Sequence, residues 1–154
     1  MAKKMLQFVS QHKEMPAKRG ALKRTEDFDE IYDDFSTEGA EEQASRCSQC
    51  GVPFCQVNCP LHNNIPDWLM LTAENRLQEA YQVASATNTF PEICGRICPQ
   101  DRLCEGNCVI EKGFESVTIG AVEKYVTETA FEEGWVVPIE VMHERDQSVG
   151  VIGA

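Results

Sequence analysis

Eight cysteines confined to the middle of the chain set the tightest constraint on what it can fold into. They fall in two quartets, Cys47, Cys50, Cys55 and Cys59, then Cys94, Cys98, Cys104 and Cys108. As spacings these read C-x2-C-x4-C-x3-C-P and C-x3-C-P-x4-C-x3-C, and the 46 residues on either side contain none. Thiols this dense usually hold a ligand in common. A chain of 154 residues has room for one domain with a modest core around it.

Three chemistries use cysteine in such numbers. Disulfides suit a small exported chain, but Met1 to Phe8 carries two lysines and no apolar stretch after them, so it is no secretory leader. No apolar run approaches the length of a membrane span either. The expected compartment is the cytoplasm, where thiols stay reduced and bind metal. Structural zinc favours paired C-x2-C knuckles, and only Cys47 and Cys50 form one. A 4Fe–4S cluster is wider than a lone ion and is gripped at its corners by a winding loop, which suits the uneven gaps. Cys59-Pro60 and Cys98-Pro99 echo the Cys-Pro of bacterial ferredoxins. The second gap of the first quartet is x4 where a ferredoxin has x2, so this is not a plain ferredoxin. The rival from another class is a zinc-stapled interaction module without redox function, which metal analysis would separate.

Charge narrows the partners. The chain carries a net −11, distributed unevenly. Residues 1–24 hold seven Lys/Arg and one acid, Glu14, whereas the rest holds seven bases against 24 acids. An acidic body excludes nucleic acid as the natural partner. The basic arm reads as a solvated terminus.

Along the chain the periodicity is helical. Glu26 to Glu42 has nine acids and no base, and within it Phe28, Ile31, Tyr32 and Phe35 recur as one face of a short helix. That face packs on the core or offers a docking surface. Glu41 to Arg46 feeds the first cysteine as a short helix. Cys47–Pro60 is loop-like, broken by Gly51, Pro53 and Pro60. A helix is expected from Pro66 to about Ala86, with Trp68, Leu69, Thr72, Ala73, Leu77, Ala80, Tyr81 and Ala84 on its inner face. Residues 91–115 form the second cysteine loop, and a further helix spans Val117 to Glu133, ending near Gly134. Phe54-Cys55-x3-Cys59-Pro60 and Ile93-Cys94-x3-Cys98-Pro99 form a weak internal repeat. The fold class is all-α, a small helical domain with two cysteine-rich loops. The expected organisation is an N-terminal arm and acidic amphipathic segment over 1–36, the helical cysteine domain over 37–140, and a linker over 141–154. Val149-Gly150-Val151-Ile152-Gly153-Ala154 looks like a β-strand reaching the first glycine of a dinucleotide-binding turn. Gly153 is the candidate cofactor-binding residue, and the sequence reads as cut at a domain boundary. No Cys/His nucleophile pair is evident, so no catalytic residue is assigned.

The run Cys94-Gly95-Arg96-Ile97-Cys98-Pro99-Gln100-Asp101-Arg102-Leu103-Cys104-Glu105-Gly106-Asn107-Cys108 resembles the signature of the glutamate synthase small (β) subunit family. So do Arg46-Cys47-Ser48-Gln49-Cys50-Gly51-Val52-Pro53-Phe54-Cys55 and Val117-Thr118-Ile119-Gly120-Ala121-Val122-Glu123-Lys124-Tyr125. The resemblance covers nearly the whole chain. The wider group includes the N-terminal domain of dihydropyrimidine dehydrogenase and the large subunit of a flavin-based transhydrogenase. It implies an alpha-helical ferredoxin-like fold with two 4Fe–4S clusters whose ligands interleave. Cys47, Cys50, Cys55 and Cys108 would hold one, and Cys59, Cys98 and Cys104 three corners of the other. In the dihydropyrimidine dehydrogenase branch the fourth corner comes from the following helix, here Glu123. Helical phase puts Glu123 beside Ile119, Val126 and Ala130, where a carboxylate needs a cation or metal. Against that, the internal repeat aligns Cys94 with Cys55, and Cys94 stays as the alternative ligand. His62 reads as a loop histidine. Arg96 and Arg102 either lend positive charge near the clusters or form ordinary ion pairs.

As the resemblance implies, NADPH reduces FAD in a C-terminal region, and electrons cross the two clusters to an FMN-bearing large (α) subunit that makes glutamate. The chain itself would be the electron-transfer part of that oxidoreductase, with no complete catalytic centre. A relative serving another acceptor, like a pyrimidine reductase or a transhydrogenase, is the rival within the class.

Overall fold

The computed structural model describes residues 5–138 and 140–153. Their regular structure is seven α-helices preceded by two 3-10 turns, Gln7–Val9 and Lys23–Thr25. The helices are α1 (Thr37–Ser45), α2 (Phe54–Val57), α3 (Ile65–Ala73), α4 (Leu77–Ser85), α5 (Pro91–Ile97), α6 (Glu111–Phe114) and α7 (Ile119–Glu132). Among the described residues there is no strand, only one antiparallel bridge between Lys18 and Tyr32. The chain is all-α, as the periodicity predicts.

The core forms where the apolar stripes of α3, α4 and α7 meet. Trp68, Leu69, Ala80, Ala84, Val122, Val126 and Ala130 are all buried there. The inner-face residues expected for 66–86 are buried or packed on this core, but they lie on two helices rather than one. The break has a local cause. Asn75 takes the left-handed conformation at φ 56°, Arg76 N–H donates to Leu71 O at 2.9 Å, and Asn75 N–H donates to Thr72 O at 2.9 Å. These bonds make a Schellman stop, for which Asn is the usual substitute for Gly. The same device closes α7. Gly134 sits at φ 70°, with Trp135 N–H on Ala130 O and Gly134 N–H on Phe131 O.

α7 is the hub, touching α1, α3, α4 and α5. Its closest neighbour is α5. A Cβ on Gly95 would fall 2.8 Å from Lys124 N and 2.9 Å from Gly120 O, so only glycine lets the two backbones approach this far. That approach carries Cys94 and Cys98 up to the side of α7.

The N-terminal segment differs from both expectations for it. Lys3 and Lys4 lie outside the described residues, but residues 5–24 are not a free basic arm. Leu6 N–H donates to Cys47 O at 3.1 Å, Lys13 pairs with Glu105 at 2.9 Å, and Phe8 meets the Phe114 ring edge-on at 4.9 Å. The Phe28, Ile31, Tyr32, Phe35 stripe is not helical. The chain there runs beside residues 17–19, with Arg19 N–H on Ile31 O and Asp33 N–H on Ala17 O. Glu30 bridges Arg96 and Lys124, and Asp34 also pairs with Lys124. Ion pairs to α5 and α7 decide the path, so Phe28 is left in solvent while Phe35 packs on the core.

Candidate metal centre

The eight thiols divide into two neighbourhoods that do not follow the order of the sequence. Cys47 follows α1, Cys50 lies in the next loop, Cys55 is on α2 and Cys108 precedes α6. Burial pushes the Cys47 thiol up to about 11, with Cys108 and Cys50 adding to it and the Gln49 N–H groups opposing. Burial likewise pushes Cys55 up to about 12, reinforced by Cys47, Cys108 and Cys50. These four therefore share one environment.

Cys59, Cys94, Cys98, Cys104 and Glu123 share the other, around a cavity of about 150 Å³. Asn63, Ile65, Leu103 and Ile119 are also part of its wall. Burial, then Cys94, Glu123 and Cys59, raise the Cys98 thiol to about 11. Cys104 is pushed up by burial first, then by Glu105, Glu123 and Cys59. Glu123 itself rises to about 7, through burial and the nearby Glu92, against a hydrogen bond from Asn88. Both candidates for a fourth corner meet at Asn88. Its Nδ2 donates to Glu123 Oε1 at 3.2 Å, and its Oδ1 accepts from the Cys94 thiol at 3.7 Å.

Two of the three C-x3-C pairs are split between the neighbourhoods, Cys55 from Cys59 and Cys108 from Cys104, whereas Cys94 and Cys98 stay together. Tight local turns make the crossings. Between Cys104 and Cys108 the chain folds back so closely that a Cβ on Gly106 would meet Asp101 O at 1.8 Å. After Cys59, His62 at φ 47° turns the chain into Asn63. The buried Asn63 donates to Ala84 O at 2.6 Å and accepts from Trp68 Nε1 at 2.8 Å, tying that loop to the α3–α4 pair.

The donor set suits a cluster. Thiolates are the usual ligands at the corners of such a cluster, and each neighbourhood offers four thiols, the second with the Glu123 carboxylate beside them. Thiols held this far up are protonated before loading, and assembly displaces those protons.

Several polar partners of the thiols escape notice in the sequence. Gln49, held at φ 51°, donates from its backbone and its Nε2 to Cys47 Sγ at 3.5 and 3.4 Å. Ser48 Oγ is 2.9 Å from Cys50 Sγ. The two arginines singled out by spacing lie elsewhere. Arg96 pairs with Glu30 and Glu128, and Arg102 points into solvent 3.9 Å from Asp101. The arginine at the thiols is Arg46, which is wholly buried. Its position before Cys47 was the only signal. Gly153 has φ 87°, and Val149, Val151 and Ile152 beside it are exposed with no regular structure.

No helix among the described residues is long and apolar enough to cross a membrane. Residues 24–135 match the family described as dihydropyrimidine dehydrogenase domain II, 4Fe–4S cluster. The chain is also 65% identical over 152 residues to the glutamate synthase [NADPH] small chain of Azospirillum brasilense, covering 98% of this chain and 32% of that protein. The corresponding protein of Escherichia coli is 44% identical over 154 residues, covering 100% of this chain and 33% of its own length. The chain thus spans about a third of the length of these relatives. With the family match running from the acidic segment through α7 and across every cysteine, the chain belongs to the dihydropyrimidine dehydrogenase domain II family of 4Fe–4S domains.

Proposed function

We propose that this chain is the electron-transfer module of an NADPH-dependent glutamate synthase small subunit and holds two 4Fe–4S clusters. Cys47, Cys50, Cys55 and Cys108 take the first. Cys59, Cys98, Cys104 and Glu123 take the second, with Cys94 as the alternative fourth ligand. The observation that carries this reading is the division of the thiols into two neighbourhoods, each drawing on both quartets.

Bound clusters supply one-electron carriage at low potential. The chain's own residues set the conditions for it. Gln49 donates to Cys47 Sγ, and the Ser48 hydroxyl would donate to Cys50 Sγ once that sulfur is a thiolate ligand, which disperses charge and favours the reduced state. Ile65, Leu103 and Ile119 keep water from the second site, and Asn88 fixes the Glu123 carboxylate.

In the whole subunit Val149–Gly153 forms the opening strand of a dinucleotide-binding fold, with Gly153 at its turn. That region would hold the FAD that accepts hydride from NADPH, and the electron acceptor would be the FMN-bearing large subunit, which makes glutamate from 2-oxoglutarate and glutamine-derived ammonia. The names and identities of the relatives support this placement, and the reducing cytoplasm suits it.

Anaerobic purification followed by iron, sulfide and zinc analysis tests the proposal. The expected result is a brown protein with about eight iron and eight sulfide per chain. A colourless protein with stoichiometric zinc would establish the zinc-stapled module instead.

A further inference from the structure

Arg46 is the last residue before the first thiol and has no exposed surface. Its guanidinium donates to four backbone carbonyls. Nε reaches Gln11 O at 3.1 Å and Nη1 reaches Ser116 O at 2.7 Å; Nη2 reaches Phe114 O at 2.6 Å and Glu115 O at 3.0 Å. Every acceptor is neutral, and no ion pair to Arg46 occurs among the described residues. The Glu115 carboxylate contributes some field, but it is exposed. A buried cation without a bonded anion is unfavourable unless a counter-charge lies close by. Cys108 is close enough to act on Arg46 electrostatically, and Cys47 is its neighbour in the chain. A 4Fe–4S core ringed by four thiolates is a net anion.

We infer that Arg46 is a positioning residue that serves as the fixed counter-charge of the first cluster and raises its reduction potential above that of the second. Reduction adds a negative charge. A cation held in a low-dielectric interior stabilises the added electron far more than it would in water. The second site lacks such a cation: no arginine or lysine lines its cavity, and the carboxylate acting on Cys104, Glu105, is itself paired with Lys13. The four carbonyls keep the guanidinium from rotating towards solvent, and they join the N-terminal segment and the loop before α7 to the first cysteine. Arg46 thus holds the first site's charge and its frame together.

The inference rests on the two-cluster reading above. Its test is a redox titration followed by electron paramagnetic resonance on the loaded chain, comparing wild type with Arg46→Gln and Arg46→Lys. Loss of one signal in Cys108→Ser identifies the first cluster. In Arg46→Gln, at the potential where the wild-type first cluster is half reduced, the reduced-to-oxidised ratio should fall about tenfold, or 59 mV for a one-electron couple. The second cluster should not move. Arg46→Lys keeps the charge and loses the fork, so it should stay near the wild-type midpoint. Unchanged midpoints in Arg46→Gln would overturn the inference, and so would an equal fall in both variants. Should Arg46→Gln fail to assemble, Arg46→Lys decides. Two clusters with a near-native first midpoint uphold the role of charge, and failure of both variants assigns Arg46 to the frame alone. A wild-type chain without iron sinks the two-cluster reading itself.

Discussion

At the residue scale, the second site poses a choice between a carboxylate and a thiol, and the two are coupled through one amide. Asn88 Nδ2 holds Glu123 while Asn88 Oδ1 holds the Cys94 thiol, so both side chains are oriented before any metal arrives. If Glu123 is the fourth ligand, Glu123→Ala should remove about half the iron, and Cys94→Ala should leave iron and spectrum unchanged. Loss of a cluster only in Cys94→Ala would reverse the assignment. Glu123 was legible because helical phase alone places it among Ile119, Val126 and Ala130. Asn88 was not, because its part depends on how the loop after α4 meets α7. Arg46 was hidden for the same reason. Its acceptors come from residues 11 and 114–116, and nothing in Arg46-Cys47 announces burial, whereas Arg96 and Arg102 sit between cysteines yet face acids and water.

At the scale of elements, the second site depends on how closely α5 lies against α7. The atoms that a Cβ on Gly95 would strike, Lys124 N and Gly120 O, are both backbone, and neither can swing aside as a flexible side chain would. Gly95→Ala should therefore push α5 away from α7, at a cost of about 1–3 kcal/mol, and carry Cys94 and Cys98 with it. A melting temperature lowered by several degrees and a weakened second-cluster signal are the expected readings. Gly113→Ala, which meets nothing within 4 Å, is the control. A Gly95→Ala chain that melts and binds iron like wild type would show that the contact tolerates repacking. Element legibility followed the same divide between local and tertiary causes. The inner face of 66–86 was readable because both helices keep one phase, but the stop at Asn75 needed a left-handed residue that the apolar pattern does not encode. The stripe from Phe28 to Phe35 had a helical period and no helix, because Glu30 and Asp34 are drawn to Arg96 and Lys124.

At the scale of the whole molecule, burial is concentrated in some elements and sparse in others. α3, α4 and α7 bury an apolar core that includes Trp68, Leu69, Val122 and Val126. α2 buries no residue, and α5 buries only Pro91, although these two helices carry Cys55 and Cys94. A four-residue helix has no independent stability, so metal ligation must supply what packing does not, and its binding free energy becomes folding free energy. Because each neighbourhood draws thiols from both quartets, loading either site as proposed would tie the two loops together. Chelation of iron under anaerobic conditions should therefore release α2, α5 and the 98–108 loop as a unit while α3, α4 and α7 persist. Amide hydrogen exchange measures this region by region. The loaded chain should protect all these segments, and the iron-free chain should lose protection in the first group by at least about a hundredfold, near 2.7 kcal/mol of local stability. Equal protection of α2 and α7 in the iron-free chain would mean that the loops are held by their polar anchors alone. In that case Arg46 and Asn63, rather than the metal, would be what fixes the positions of the thiols.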